Sequence, residues 1–184
     1  MKNMNKDDKD QLLQYFSAVK GKGINNVYLH WTAGRYDQVF GDYHICIKGG
    51  GVVWFTRDNL AAVLAHTYMR NSKAIGIALC CAYGATYPNN FGQYPPTDAQ
   101  IETLAEVLAI ISWEYDIPID IQHIMTHAEA ADNLDGVRPH APYGPQNGCE
   151  RWDLYQLQDY DGQWKSGGDV LRGKAAWYQQ QNYS

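Results

Sequence analysis

Five short apolar segments, each no longer than a strand requires, recur between residues 24 and 126: 24–30 (INNVYLH), 43–48 (YHICIK), 52–56 (VVWFT), 74–81 (AIGIALCC) and 122–126 (QHIMT). Runs of this length bounded by glycine and polar residues read as buried strands. Gly49-Gly50-Gly51 between the second and third is a hairpin signal. Helical patterns stand among them. Residues 8–19 bring Leu12, Leu13, Tyr15, Phe16 and Val19 to near-helical spacing before Gly21 and Gly23 stop the segment. Thr97-Asp98-Ala99-Gln100 has capping-box form after Pro95-Pro96, and Ile101, Leu104, Val107, Leu108 and Ile111 then share one face. An Ala-rich helical turn follows His127, and residues 151–158 read as a short helix. Strands and helices interleaved in this way predict an α/β (α+β) single domain with a central mixed β-sheet flanked by helices. Its core spans about 24–154, with helix 8–19 before it and a packed extension over 155–184.

Composition narrows the function classes. The 184 residues carry 15 Lys+Arg against 20 Asp+Glu, a formal charge of −5, which argues against a partner held mainly through nucleic-acid phosphates. No apolar run approaches the ~18 residues of a spanning helix, so no membrane insertion is expected. The hydrophilic start MKNMNKDDKDQ carries no signal-peptide core, and the expectation is synthesis in the cytoplasm. Cys46, Cys80, Cys81 and Cys149 lack the spacing of a disulfide framework or a zinc knuckle. No protein partner is evident.

Three polar residues stand where apolar structure gives way to loops: His30 ends one strand, His127 follows another, and Asp153 lies in the last loop passage. Two imidazoles and a carboxylate suit a catalytic zinc, which takes three protein ligands and leaves a fourth position for water. Each residue alone also has a plain structural role, as a hydrogen-bonded strand-end histidine or a helix cap. His123 lies four residues before His127, about 13 Å away along a strand, too far to share an ion. Glu129 suits helix capping better than a spare base. Tyr43 and His44 are neighbours in a strand, so alternation sends them to opposite faces and leaves His44 a structural part.

The words Val27-Tyr28-Leu29-His30-Trp31-Thr32-Ala33-Gly34, Tyr43-His44-Ile45, Asn71 with Ala74-Ile75-Gly76-Ile77, Thr126-His127 and Arg151-Trp152-Asp153 resemble, in order, the motif series of zinc-dependent N-acetylmuramoyl-L-alanine amidases of the peptidoglycan recognition protein fold. The resemblance implies that fold, a groove holding Zn2+, and His30, His127 and Asp153 as its ligands. Some relatives use a cysteine as third ligand, so Cys149 stays open as a thiolate donor. Tyr43 matches the tyrosine version of the family, and Ala78 stands where glutamate-type relatives carry an acid. Arg151 occupies a position that is lysine in many relatives; a guanidinium can stabilise an oxyanion but shuttles protons poorly. His66 and Asn71 resemble substrate-side residues, and Trp31 is either core or a sugar platform.

The resemblance implies hydrolysis of the amide between N-acetylmuramic acid and L-alanine, with peptidoglycan or muropeptides as partner, as in a phage or prophage endolysin. Such a chain meets the wall after release or injection, or acts on cytoplasmic muropeptides. A non-catalytic peptidoglycan-binding module and a secreted antibacterial effector amidase are the alternatives. An unrelated zinc peptidase is disfavoured because no His-Glu-x-x-His word is present.

Overall fold

The structure is a computed structural model that describes residues 2–4, 9–18, 23–148 and 150–183. Asp8, Val19 and Gly21, which bound the expected first helix, lie outside these residues, as does Cys149. The strands are β1 (Lys2–Met4), β2 (Asn26–Trp31), β3 (Ile45–Ile47), β4 (Val53–Phe55), β5 (Ala74–Leu79) and β6 (Ile124–Thr126). They form one mixed sheet in the order β1-β4-β3-β5-β2-β6. Parallel pairing joins β3, β5, β2 and β6, while β4 and β1 extend one side antiparallel. The helices are α1 (Lys9–Ala18), α2 (Asp98–Tyr115), α3 (His127–Ala131) and α4 (Gly167–Tyr183), and a separate hairpin pairs β7 (Gln156–Gln158) with β8 (Trp164–Ser166).

Strand alternation makes the two faces of the sheet chemically different. Val27, Leu29 and Trp31 of β2, Ile45 and Ile47 of β3, and Ile75, Ile77 and Leu79 of β5 join one core with Leu104, Leu108 and Ile111 of α2 and Leu171 of α4. Each such buried aliphatic contributes roughly 1.5–3 kcal/mol. The alternate positions are small or polar. Tyr28 is level with Gly76, and His30 and Cys46 are both level with Ala78. Helices α1, α2 and α4 therefore cover the face of large side chains, while on the other face short α3 packs through Ala130 on Tyr28 and Met125 and leaves room for a site.

The capping box is formed as the sequence predicts: the Thr97 hydroxyl accepts from the Gln100 N–H, and the Gln100 side chain accepts from the Thr97 N–H. Gln100 Nε2 also donates to the carbonyls of Ile47 and Cys80, tying the start of α2 to the ends of β3 and β5.

Local structure departs from expectation in three places. Residues 151–158 form no helix, because Gln156–Gln158 pairs with Trp164–Ser166 as a ribbon. The C-terminal extension holds a 17-residue helix, α4, packed on the core through Leu171 and Ala175. Strand β3 begins only at Ile45, so alternation does not separate Tyr43 from His44: the Tyr43 ring lies 5.0 Å from that of His30, and the His44 ring 5.8 Å from that of His66. No helix among the described residues is long and apolar enough to cross a membrane.

Candidate metal centre

Two neighbouring parallel strands deliver the histidines. Leu29 is level with Thr126 in the β2–β6 ladder, so the residues that follow, His30 on β2 and His127 at the start of α3, emerge side by side at the carboxyl ends. Crevices at such strand ends are where open α/β sheets bind ligands. Thr126 is the N-cap of α3, and the reciprocal bonds between Thr126 and Glu129 fix the turn on which His127 sits. Asp153 arrives from the loop beyond, where its carbonyl accepts from the Ala128 N–H at 3.4 Å.

The three side chains make a triangle of donor atoms. His30 Nδ1 and His127 Nδ1 are 3.1 Å apart, and Asp153 Oδ2 is 3.5 Å from each. Ligands at about 2.0–2.1 Å around one tetrahedral ion stand about 3.3 Å from one another, so these separations match the edges of a zinc polyhedron. Among the described residues this is the group of histidine, cysteine and carboxylate side chains that can hold a metal ion.

The electrostatics suit the same use. Burial pushes the His30 pKa down to about 4 despite its bond to Asp153, so the ring is neutral at pH 7 with a lone pair to give. Burial alone would raise the Asp153 pKa, but the imidazoles of His127 and His30, through their charge when protonated and their hydrogen bonds, outweigh it and hold the carboxyl well below the usual range. The residues present therefore fit zinc in number, geometry and charge.

A hydrogen-bond chain leads from this centre to His66. His30 Nε2 is 3.2 Å from Thr67 Oγ1, which is 3.0 Å from His66 Nδ1. With His30 Nδ1 turned to the metal position, its proton sits on Nε2 and is donated to Thr67. Thr67 then gives its single hydrogen to His66 Nδ1, which leaves the His66 proton on Nε2. Burial and the neighbouring His30, His44 and His127 push the His66 pKa down to about 2, so it stays neutral. Among the described residues its Nε2 is buried without a partner. His44 is fully committed: it accepts from the Gly76 N–H and donates to the Ala62 carbonyl.

Gly76 is required by this packing. A Cβ there would stand 2.6 Å from His66 Cδ2 and 2.7 Å from Cγ. Gly76→Ala is expected to displace His66 and lower stability by about 1–3 kcal/mol, the usual cost of overpacking, as read by urea melts. Wild-type stability in that variant would show that the ring moves freely.

A groove of about 620 Å³ runs along the site, with His66, Thr67, Asn71, His127, Tyr143 and Arg151 in its walls. Tyr43 stands over His30 and points its hydroxyl at the Trp31 carbonyl, 3.5 Å away. Burial, and then the Asp153 charge, push its pKa up, so the phenol keeps its proton. Arg151 is half exposed, and its guanidinium bonds to Glu150 rather than to any of the three donors. Asn71 Oδ1 accepts from the N–H groups of His66 and Thr67, which makes this side chain a clamp on the groove wall. Trp31 is not brought to the groove. The alternation that turns His30 toward the site turns Trp31 into the core, 6% exposed and edge-on to Phe91 and Trp152. His123 pairs with Asp120 instead of joining the cluster.

Fold and site together define an α/β domain with a two-histidine, one-carboxylate group able to hold a metal ion at the ends of its parallel strands. The Amidase_2 family model, described as N-acetylmuramoyl-L-alanine amidase, matches residues 20–141, well over half of the chain, and the chain belongs to this family. Asp153, Arg151 and α4 lie beyond the matched residues. No curated protein matches the sequence. Solved structures similar to it include the endolysin N-acetylmuramoyl-L-alanine amidase LysCS from Clostridium intestinale URNW, with 20% identity, 59% of this chain and 71% of that chain covered, and a TM-score of 0.45. The Ph2119 endolysin from Thermus scotoductus MAT2119 bacteriophage Ph2119 has 19% identity, coverage of 61% and 76%, and a TM-score of 0.44. Drosophila peptidoglycan recognition protein SA has 17% identity, coverage of 69% and 86%, and a TM-score of 0.43.

Proposed function

We propose that this chain is a zinc-dependent amidase that hydrolyses the bond between N-acetylmuramic acid and L-alanine in peptidoglycan or soluble muropeptides. The observation that carries the reading is the donor triangle of His30, His127 and Asp153, at 3.1–3.5 Å, in a chain of the Amidase_2 family. Zinc held there supplies a Lewis acid that activates water and polarises the scissile carbonyl.

The chain's own residues do the rest. The groove walls seat the substrate beside His127, the donor residue that lines them. Tyr43 keeps a neutral O–H beside His30 and donates it to the carbonyl oxygen as negative charge develops. His66 Nε2–H is the second neutral donor. Arg151, also in the groove wall, adds positive charge that needs no protonation event. Glu129 is excluded as a base, because both its oxygens are taken by Arg172 and the capping box.

Digestion of purified peptidoglycan decides the reading. Mass spectrometry is expected to find stem peptides with a new free L-alanine amine and intact glycan strands, with the activity lost on chelation and regained with zinc. New reducing sugar ends without free alanine amines would indicate glycosidase chemistry, which needs two flanking carboxylates. A zinc-loaded protein that pulls down cell wall yet releases nothing would be a binding module.

A further inference from the structure

Arg172 of α4 is buried, 8% exposed, and it faces the metal turn rather than solvent. Its Nη1 donates to Glu129 Oε2 and to the Ile124 carbonyl, both at 2.9 Å, while Nη2 donates to Glu129 Oε1 at 2.8 Å and to Asp169 Oδ1 at 2.7 Å. Glu129 Oε2 also accepts from the Thr126 N–H at 2.9 Å. One guanidinium thus grips both ends of the three-residue strand β6, at Ile124 directly and at Thr126 through Glu129, and His127 is the next residue. Ser166 adds a bond to the same carboxylate.

The start of α4 holds the third donor. Gly167 lies so close to the Leu154 carbonyl, and Gly168 to the Glu129 carboxylate, that a Cβ on either would overlap them. The Gly167 N–H donates to the Tyr155 carbonyl, and Leu154 is held at φ 55°, a left-handed conformation costly for a side chain with Cβ. Asp153 precedes it. The turn bearing Asp153 and the turn bearing His127 are therefore both seated on one helix end.

We propose that Arg172 is a positioning residue of the metal centre, setting the separation of His127 and Asp153 from His30 through Glu129 and the Gly167–Gly168 helix start. The inference rests on the zinc reading above. An ion pair buried this deeply stabilises a fold no better than well-packed apolar groups would. What a bidentate fork adds is a fixed geometry, and donor atoms must be held within tenths of an ångström for tight metal binding.

The test uses the full chain and four measurements: zinc affinity by competition with a chromophoric chelator, the visible spectrum of the cobalt form, thermal stability without metal, and amide cleavage. Arg172→Ala is expected to weaken zinc at least about tenfold and to alter the cobalt bands. Arg172→Lys, which keeps the charge but not the fork, is expected to recover part of the affinity. Leu171→Ala, from the fully buried neighbour in α4, lowers stability without touching Glu129 and is expected to keep wild-type zinc affinity. If Arg172→Ala does not fold, Arg172→Gln decides by the same comparison. Zinc binding unchanged in a folded Arg172 variant, or reduced equally in Leu171→Ala, overturns the proposal while leaving the zinc reading intact. A wild-type chain that binds no zinc overturns both.

Discussion

Replacing His30 or His127 with alanine is expected to abolish tight zinc binding and, with it, amide cleavage. Zinc bound by four ligands in small domains is worth about 10–16 kcal/mol, so one donor corresponds to roughly 3–4 kcal/mol, or about 10²–10³ in affinity. The effect is readable without substrate. Zinc at 100 times its dissociation constant stabilises the native state by about 2.7 kcal/mol, a rise in Tm of roughly 5–10 °C for a chain this size. That shift should vanish in His30→Ala, His127→Ala and Asp153→Ala, and plasma spectrometry should find no metal after dialysis. Cys149→Ser should keep both. If Cys149→Ser loses zinc while Asp153→Ala retains it, the carboxylate at 3.5 Å from both imidazoles is not the third ligand.

Tyr43→Phe is expected to separate metal binding from chemistry. The phenol ring packs on His30, and its hydroxyl makes one long contact, to the Trp31 carbonyl. Phenylalanine preserves the packing and removes a single O–H. Loss of one oxyanion donor typically costs about 2.7–4 kcal/mol, or about 10²–10³ in kcat. Zinc content and Tm should stay at wild-type values, and KM should change little, because the donor acts on charge that exists only in the transition state. An unchanged kcat would remove Tyr43 from the mechanism.

The parts of this fold legible in the sequence are those governed by neighbours in the chain. Alternation within AIGIAL and NVYLHW sorts apolar core side chains from small or polar ones over a few residues. The Thr97 and Gln100 cap closes within one turn. Helix α4 was not legible for the opposite reason. It contains Gly167, Gly168 and Gly173, and glycine costs about 1 kcal/mol in a helix interior. Only contacts with distant segments, such as Arg172 on Glu129 and Leu171 in the core, make that segment helical. Residues 151–158 misled for a nearer reason: Gln156–Gln158 pairs with Trp164–Ser166 as a hairpin, so the segment is strand and loop where a short helix was expected.

The site divides along the same line. The sequence by itself determined which residues could be ligands, because His30, His127 and Asp153 each occur in a word of the amidase motif series. It also determined that a tyrosine and not a glutamate stands beside them, with Ala78 in the acid's place. Only the tertiary structure decided that these ligands converge. The parallel register of β2 with β6 puts His30 beside His127, and the seat on α4 brings Asp153 to 3.5 Å from both. The tertiary structure also turned Trp31 into the core and left His66 Nε2 without a partner among the described residues, in the groove wall. The physical reason is range. Propensity, capping and alternation act over a few residues, whereas a metal polyhedron and a buried ion pair are set by segments tens of residues apart, whose approach depends on the whole core being packed.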